Sequence, residues 1–205
     1  MADKTHWENI FSTKTDDQVS WFQPHLHTSL RLIDQTGIGT ASQVIDVGGG
    51  TSTLVDDLLA RGFQPTVLDL AAAALNKSRQ RLGTLADQVT WIEGDVTTVP
   101  LPPLSFDLWH DRAVFHFLTH AEDRRNYVAQ VIDALKPNGH LIVATFALDG
   151  PERCSNLDVV RYSASSLQSE FGDSFVLRES LREEHQTPFG TQQAFVYCHF
   201  QKHPF

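Results

Sequence analysis

Three consecutive glycines follow a short β-branched segment and precede a segment of helical character. The run reads Asp46-Val47-Gly48-Gly49-Gly50-Thr51. Glycines let the backbone turn tightly and approach a ligand closely, and the N-terminus of the helix behind them attracts a carboxylate or phosphate. The pattern therefore predicts a ligand-binding turn at the end of a strand.

Acidic residues stand at the ends of three successive predicted strands, as Asp46, Asp69 and Asp95. A carboxylate at the end of the second strand can accept both hydroxyls of a ribose. Asp95 can accept from an adenine amino group while Val96 covers the ring. Asp46 would repel a pyrophosphate but attract a cation. S-adenosylmethionine (SAM), with an ammonium, a carboxylate, a ribose and an adenine but no phosphate, meets these demands better than NAD.

Strands and helices alternate along the chain. Apolar periodicity predicts strands at 43–47, 65–70, 89–93, 106–110, 140–146, 174–179 and 193–200, with helices at 51–61, 71–85 and after 119. The expected fold class is α/β: a doubly wound, mostly parallel seven-stranded sheet with helices on both faces and a C-terminal antiparallel hairpin. Its ligand should lie at the carboxyl ends of the strands, beside the first strand.

Local signals predict where several helices begin and end. Thr5 with Glu8, and Thr119 with Glu122, have the spacing of capping boxes. A helix with Leu26, Leu30 and Ile33 on its apolar face should begin near Pro24 and end at Gly37 and Gly39. The proline and glycines of residues 136–139 and 187–190 predict turns.

Composition excludes several functional classes. The chain has 205 residues, a net charge of −9 and two cysteines. We expect one domain in a reducing cytoplasm, without a disulfide framework. The acidic balance argues against nucleic-acid binding, and no apolar run approaches the ~18–20 residues of a membrane span. Ten histidines invite a metal interpretation, but His116 and His120 flank a predicted helix start, so we expect no metal site.

Five segments resemble, in order, the successive motifs of class I SAM-dependent methyltransferases. They read DVGGGTS, LDL, EGDV, FDLWHDRAVFHFL and LKPNGHLIVATF and span roughly residues 40–147. The resemblance implies a methyltransferase core at 40–147, an N-terminal helical cover at 1–39, and a substrate-side loop and hairpin at 148–205. The cofactor-binding residues that it implies are Asp46, Gly48, Gly50, Asp69, Leu70, Asp95, Val96, Asp111 and Arg112.

The opening segment, HWENIFSTKTDDQVSWFQPHLHTSLRLI, is similar to the N-terminal cover of a bacterial branch of these enzymes. That branch is distantly similar to seven-strand lysine methyltransferases, including the one that acts on citrate synthase. The similarity implies that Lys14, Trp21 and Phe22 help to close the cofactor site. Packing of the aromatic residues on the core is the alternative.

Methyl transfer from a sulfonium is an in-line displacement, and much of its catalysis can come from alignment of the reactants. A general base is needed only if the nucleophile carries a proton at neutral pH. The candidates are Asp111, His110, His116 and His185. Cys154, Arg161 and His185 are candidates for substrate contact, because the loop after the fifth strand borders the substrate in this fold. Cys154 and His116 could equally be structural.

The resulting hypothesis is a SAM-dependent methyltransferase that acts on a small molecule and releases S-adenosylhomocysteine (SAH). The short chain favours a small acceptor, and the aromatic N-terminus could enclose a small pocket. A protein lysine methyltransferase is the alternative, since an acidic chain suits a basic protein partner. A SAM-binding protein without catalysis is a third possibility.

Overall fold

A computed structural model describes residues 4–204, without the side chain of residue 16. The strands are β1 Val44–Val47, β2 Thr66–Asp69, β3 Thr90–Glu93, β4 Phe106–Arg112, β5 Leu135–Phe146, β6 Arg153–Cys154, β7 Leu157–Asp158, β8 Phe175–Gln186 and β9 Gln192–Lys202. The helices are α1 Lys4–Thr13, α2 His27–Thr36, α3 Leu54–Ala60, α4 Ala72–Leu82, α5 Ala121–Ala134 and α6 Ala164–Phe171. Within the described range, no helix combines the length and apolar character that a bilayer crossing requires.

Seven of the strands form one sheet in the order β3-β2-β1-β4-β5-β9-β8. The pairs from β3 to β5 are parallel, and β9 runs antiparallel to both β5 and β8. The chain leaves β1 toward β2 and β3 and then returns to β4 on the other side of β1. This reversal leaves a crevice at the carboxyl ends of β1 and β4. The predicted fold class is confirmed.

The inner strand β5 packs against apolar clusters on both faces of the sheet. Leu141 and Val143 pack into one apolar cluster, with Tyr127 and Val131 of α5. Ile142, Ala144 and Phe146, which alternate with them along the strand, pack into a second cluster with the buried leucines and isoleucine of α2. A strand that is buried on both faces reads as a continuous apolar run, as this one does.

Both predicted capping boxes are wrong. Thr5 lies inside α1, and the Glu8 carboxylate accepts hydrogen bonds from the backbone N–H groups of Ala72 and Ala73, at 2.7 and 3.1 Å. The residue before α4 is Ala71, which has no side-chain acceptor, so Glu8 supplies one from a distant helix. At α5 the N-cap is His120, without a side-chain cap.

Several boundaries differ from those predicted. β4 continues two residues past His110, so Asp111 and Arg112 lie within the strand, paired with Val143 and Ala144. The sequence had placed both of them just past it. β8 and β9 are also longer than predicted, because continuous pairing with each other and with β5 carries them beyond their apolar cores. The predicted turn at 136–139 is an irregular part of β5, with Asn138 at φ 62°.

A buried hydroxyl links β4 to α5. Tyr127 OH accepts from Trp109 Nε1 at 2.9 Å and donates to Asp111 Oδ2 at 2.5 Å. Asp111 Oδ1 and Oδ2 also accept from the backbone N–H groups of Val114 and Phe115, at 2.8 and 3.0 Å. The carboxylate thereby fixes the turn that follows β4.

Tyr127→Phe should lower the free energy of unfolding by about 1–3 kcal/mol, because it leaves the buried Trp109 Nε1 donor unsatisfied and removes one hydrogen bond from the buried Asp111 carboxylate. Urea denaturation measures the change. Tyr162→Phe is the matched control, since the buried Tyr162 hydroxyl has no hydrogen-bond partner and its removal should cost little. Equal losses in the two variants would contradict the role given to Tyr127.

Candidate active site at the glycine loop

A cavity, here called the main cavity, opens where the carboxyl ends of β1, β2, β3 and β4 converge. The strand ends contribute Gly48, Asp69, Leu70 and Val96 to its wall. The N-terminal segment and the turn after β4 close the other sides, through Trp7, Phe11, Trp21, Arg112, Val114 and Phe117. Cys154 also lines it, as the sequence analysis anticipated for the loop after β5.

A second cavity adjoins the first behind the glycine loop. Its wall includes Asp46, Gly49, Thr51, Gln23 and Arg112. Arg112 lines both cavities, so the two form neighbouring parts of one site.

At each of the three glycine positions, a Cβ atom would lie too close to a neighbouring side chain. Gly48 has φ +67°, and a Cβ there would lie 2.0 Å from Val114 Cγ2. A Cβ on Gly49 would lie 2.5 Å from Asp46 Oδ2, and one on Gly50 would lie 2.6 Å from Asp69 Oδ2. The loop backbone therefore passes directly over both carboxylates. Sequence reasoning had singled out Gly48 and Gly50 but not Gly49, because only the packing shows the acid beneath it.

Asp46 is held by a chain of buried side chains. His110 Nδ1 lies 2.7 Å from Asp46 Oδ1, and His110 Nε2 lies 2.9 Å from Ser29 Oγ. With Nδ1 protonated, the ring donates to Asp46 and accepts from the Ser29 hydroxyl. Asp46 Oδ2 has no hydrogen-bond partner although it is buried. The carboxylate is thus oriented with one oxygen left for a ligand.

The Ser29-His110-Asp46 chain has the spacing of a hydrolytic triad but the opposite orientation. In a triad the serine faces the substrate and the acid lies behind the histidine. Here Ser29 is fully buried and the acid faces the second cavity. The chain therefore positions Asp46 and does not make a nucleophile. Ser29 carried no sequence signal for this role, since it lies on α2, far from His110 and Asp46 in the chain.

Asp69 is buried at the end of β2, and its Oδ1 accepts from the Ala71 N–H at 2.8 Å. The pKa of Asp69 is raised to about 7, chiefly by burial and also by the nearby charge of Asp46, while backbone hydrogen bonds from Ala71 and Gly50 oppose the rise. The carboxylate thus titrates near neutral pH within the main cavity.

The two residues predicted to contact adenine differ in position. Val96 is buried and lines the main cavity. Asp95 is not part of that wall, and its Oδ1 accepts from both the backbone N–H and the hydroxyl of Thr97, at 2.8 and 2.7 Å. This is the geometry of an ordinary aspartate turn, with the remaining oxygen unassigned.

The N-terminal segment covers the main cavity with aromatic side chains. The ring centroid of Trp7 lies 5.9 Å from that of Trp21 and 5.1 Å from that of Phe117. Trp21 is therefore at the site, as the sequence similarity implied. Phe22 lines the second cavity. Lys14 lines neither: its side chain is exposed, and its carbonyl accepts from Lys77 Nζ.

The predicted catalytic residues do not converge on the main cavity. Asp111 is fully buried behind it, with both oxygens occupied, and burial raises its pKa to about 6. His116 is fully buried, and burial lowers its pKa to about 3. His185 Nδ1 accepts from Gln23 Nε2 at 2.9 Å, and His185 Nε2 donates to the Ser20 carbonyl at 2.7 Å. His110 lines only the second cavity, and both of its ring nitrogens are engaged.

The substrate-side candidates also separate. Arg161 binds the Gly150 carbonyl and Glu152 at 3.2 and 3.0 Å and lines neither cavity. Cys154 lines the main cavity, but burial raises the pKa of its thiol to about 12, so it is uncharged at neutral pH.

The carboxyl-terminal hairpin supplies residues that sequence reasoning missed. Tyr197 OH accepts from Arg112 Nε at 2.9 Å, and Glu183 Oε1 accepts from Gln23 Nε2 at 2.9 Å. Arg112 Nη1 donates to the Trp21 carbonyl at 2.9 Å. These contacts tie residues 20–23 to β4, β8 and β9. They join positions far apart in the chain, so no local pattern marks them.

Comparison with known proteins shows which family this chain is similar to. Residues 44–139 match the model of a methyltransferase domain family. That segment begins at β1 and contains the glycine loop, Asp69 and Asp111. Over this segment, which is a little under half of the chain, the protein is similar to methyltransferase domains.

The curated relatives that this chain matches are named as methyltransferases. The ubiquinone/menaquinone biosynthesis C-methyltransferase UbiE of Cereibacter sphaeroides is 31% identical over 120 residues, which are 57% of this chain and 47% of the relative. The demethylmenaquinone methyltransferase of Renibacterium salmoninarum is 26% identical over 133 residues, covering 65% and 53%. The chain thus spans about half the length of the curated relatives that it matches.

Solved structures share the fold over nearly the whole chain. The N-methyltransferase NodS from Bradyrhizobium japonicum WM9, in complex with SAH, superposes with a TM-score of 0.75 at 16% identity and covers 98% of this chain and 99% of NodS. The Burkholderia thailandensis 1,6-didemethyltoxoflavin-N1-methyltransferase, with that compound and SAH bound, gives a TM-score of 0.72 at 18% identity and covers 98% and 84%. At these identities the likeness shows the fold.

Gly49→Ala should weaken SAH binding by about tenfold or more, because the new Cβ would displace the Asp46 carboxylate whose orientation the second cavity needs. Isothermal titration measures the affinity. Gly39→Ala is the control, since a Cβ at Gly39 meets nothing within 4 Å. Unchanged affinity in Gly49→Ala would show that Asp46 does not touch the ligand.

Proposed function

We propose that this protein is a SAM-dependent methyltransferase that acts on a small molecule. The observation that carries the proposal is the cradle at the carboxyl ends of β1 and β2. There the Gly48–Gly50 backbone passes over two buried carboxylates, and Asp46 Oδ2 is left without a partner. In this proposal residues 40–147 hold the cofactor, and residues 1–39 and 148–205 shape the acceptor side of a single domain.

The residues present fit SAM. The unpaired oxygen of Asp46 suits an ammonium group, and a buried acceptor without a partner would otherwise be costly. Asp69 suits the ribose hydroxyls, and the apolar walls at Leu70 and Val96 suit an adenine. We assign the amino-acid part to the second cavity and the adenosine part to the main cavity.

The chemistry that SAM supplies when bound is a methyl group activated by its sulfonium. The protein's part is to orient, to align and to exclude water. The glycine loop and Asp46 orient one end of the ligand, with His110 and Ser29 holding Asp46. The aromatic residues of the N-terminal segment close the main cavity against solvent.

A small acceptor fits the shape of the site. Rings from the N-terminal segment cover the main cavity, so a flat macromolecular surface would have limited access to it. The relatives reported above are named for small-molecule methylation. None of the relatives reported above is named as a lysine methyltransferase. Protein methylation is therefore kept only as an alternative outcome of the test below.

SAH binding should weaken as the pH falls below about 7. Ribose hydroxyls donate to the ionised Asp69 carboxylate and favour that form, whereas the free protein holds a proton there below its raised pKa. If only the ionised form binds, affinity at pH 6 should be about tenfold lower than at pH 8. Titration of SAH across this range measures the effect. The Asp69→Asn variant should bind SAH more weakly, and its affinity should no longer depend on pH in this range. An unchanged pH profile in this variant would contradict the assignment of Asp69 to the ribose.

The direct test incubates the purified protein with methyl-labelled SAM and a cell extract, and counts label in small-molecule, volatile and precipitated-protein fractions. We expect label in the small or volatile fraction. In a separate titration with SAH, Asp69→Ala should weaken binding by about 1–3 kcal/mol. Asp87→Asn, at an exposed carboxylate, is the control. Label confined to precipitated protein would favour the lysine alternative, and absence of SAH binding would refute the proposal.

A further inference from the structure

The side chains that could act as a general base at the site are already engaged. His110 binds Asp46 and Ser29 through its two ring nitrogens. His185 does the same with Gln23 and the Ser20 carbonyl. A ring nitrogen whose lone pair already accepts a hydrogen bond cannot take a proton from a substrate without breaking that bond.

The remaining two candidates are shut away from the acceptor. Asp111 is fully buried, with hydrogen bonds from Val114, Phe115 and Tyr127 on its oxygens. His116 Nε2 has no partner but is enclosed, and burial keeps the ring neutral. Neither Asp111 nor His116 lines the main cavity.

Among the described residues, the main cavity has three titratable side chains in its wall: Asp69, Cys154 and Arg112. Asp69 is the residue that we assign to the ribose. Cys154 carries an uncharged thiol at neutral pH. The acceptor side of the cavity therefore offers one charge, the guanidinium of Arg112, and no free base.

Arg112 is buried with part of its hydrogen-bonding capacity unused. Its side chain is 6% exposed, and Nη2 has no hydrogen-bond partner. The nearest carboxylate oxygen, Glu183 Oε1, lies 4.0 Å from Nη2 and already accepts from Gln23. A buried guanidinium donor without an acceptor is costly, and a bound anion would remove the cost.

The other groups around Arg112 leave its charge largely uncompensated. Tyr197 of β9 accepts from Nε as a neutral phenol, and burial raises its pKa. His185 of β8 and His116 have lowered pKa values, each through burial first and the charge of Arg112 second. The guanidinium carbon of Arg112 lies 4.8 Å from the centroid of the Phe195 ring. Glu183 is thus the one described carboxylate paired with Arg112.

The rest of the acceptor side is apolar and aromatic. Trp7, Trp21 and Phe117 form a cluster of edge-packed rings, and Val114 and Leu118 complete the wall. Such a surface favours a flat or apolar body over a sugar or a polyamine.

We propose that the acceptor is a small apolar or aromatic molecule that reacts as its conjugate base, a thiolate or acidic phenolate, held by Arg112. This inference rests on the proposed function. A neighbouring cation lowers the pKa of an acidic group by about 1–3 units, which brings thiols and acidic phenols into range near neutral pH but not alcohols.

The reaction balances without a protein base. The acceptor first loses its proton to water or buffer. A lone pair of its sulfur or oxygen anion then forms the bond to the methyl carbon as the carbon–sulfonium bond breaks, and that electron pair stays on the sulfur of the departing SAH. The anion's negative charge and the sulfonium's positive charge are both consumed.

The first experiment uses the wild-type protein with SAM and a series of para-substituted thiophenols, the matching phenols, benzyl alcohol and benzylamine as probes. We expect transfer to thiophenols and to the more acidic phenols. The pH at which kcat/KM levels off should move with the acceptor's own pKa and lie below it. Thiophenols faster than phenols would identify thiols as the source of the anion, and the reverse would identify phenols.

The second experiment compares Arg112→Gln and Arg112→Lys. Loss of the charge should lower kcat/KM for thiophenol by about 100-fold or more and move the inflection to higher pH, while Arg112→Lys should restore part of both. Urea unfolding shows whether each variant is folded, and SAH affinity shows whether its cofactor site is intact. Arg79→Gln is the control, because Arg79 lies exposed on α4, over Trp91.

Four results would overturn the inference. The first is an inflection that stays at one pH while the acceptor's pKa varies, which would reveal a base on the protein. The second is transfer to benzyl alcohol or benzylamine at a rate equal to or above that for the thiophenols and phenols. The third is SAH binding without transfer to any anionic probe, which would refute the acceptor class but not the proposed function. Absence of SAH binding would instead refute the proposed function. The fourth overturning result is a loss of SAH affinity in Arg112→Gln with affinity for 5′-methylthioadenosine unchanged. It would assign Arg112 to the cofactor's carboxylate and not to the acceptor anion.

Discussion

The close approach of the glycine loop to two buried carboxylates is the constraint on which the rest of the site depends. Asp46 and Asp69 end adjacent parallel strands and face the same edge of the sheet, where the loop backbone leaves no room for a Cβ. Buried carboxylates need hydrogen bonds or charge partners. The neighbouring structure supplies His110 to one and the Ala71 N–H to the other, and it leaves one Asp46 oxygen for a ligand.

A second set of contacts connects this cradle to the acceptor side. Arg112 reaches Trp21 on one side and Tyr197 on the other, and Gln23 joins Glu183 and His185. The carboxyl-terminal hairpin thus holds residues 20–23 against β4. The antiparallel pair therefore does more than close the sheet, because it fixes the segment whose aromatic residues cover the main cavity.

Some features of the site could be predicted from the sequence because they depend on local spacing. Gly48, Asp69 and Val96 follow strands in the order that a parallel sheet requires, and all three line the main cavity. The catalytic candidates Asp111, His110, His116 and His185 do not line the main cavity, for a physical reason. Proximity to strand ends does not reveal whether a side chain points into a cavity or a core, and Asp111 points into the core, toward Tyr127. The capping boxes failed similarly, since Glu8 meets Ala72 and Ala73 only after α1 packs on α4.

By itself the sequence determined the alternation of strands and helices, the mostly parallel sheet and the edge at which a ligand would bind. Those features follow from apolar periodicity and from glycine's conformational freedom, which act over a few residues. Only the tertiary structure decided that Gly49 is sterically required, that Ser29 and His110 orient Asp46, and that Arg112 keeps an unpaired donor. Each of these depends on distances between side chains far apart in the chain, which are set by how the helices and the hairpin pack on the sheet.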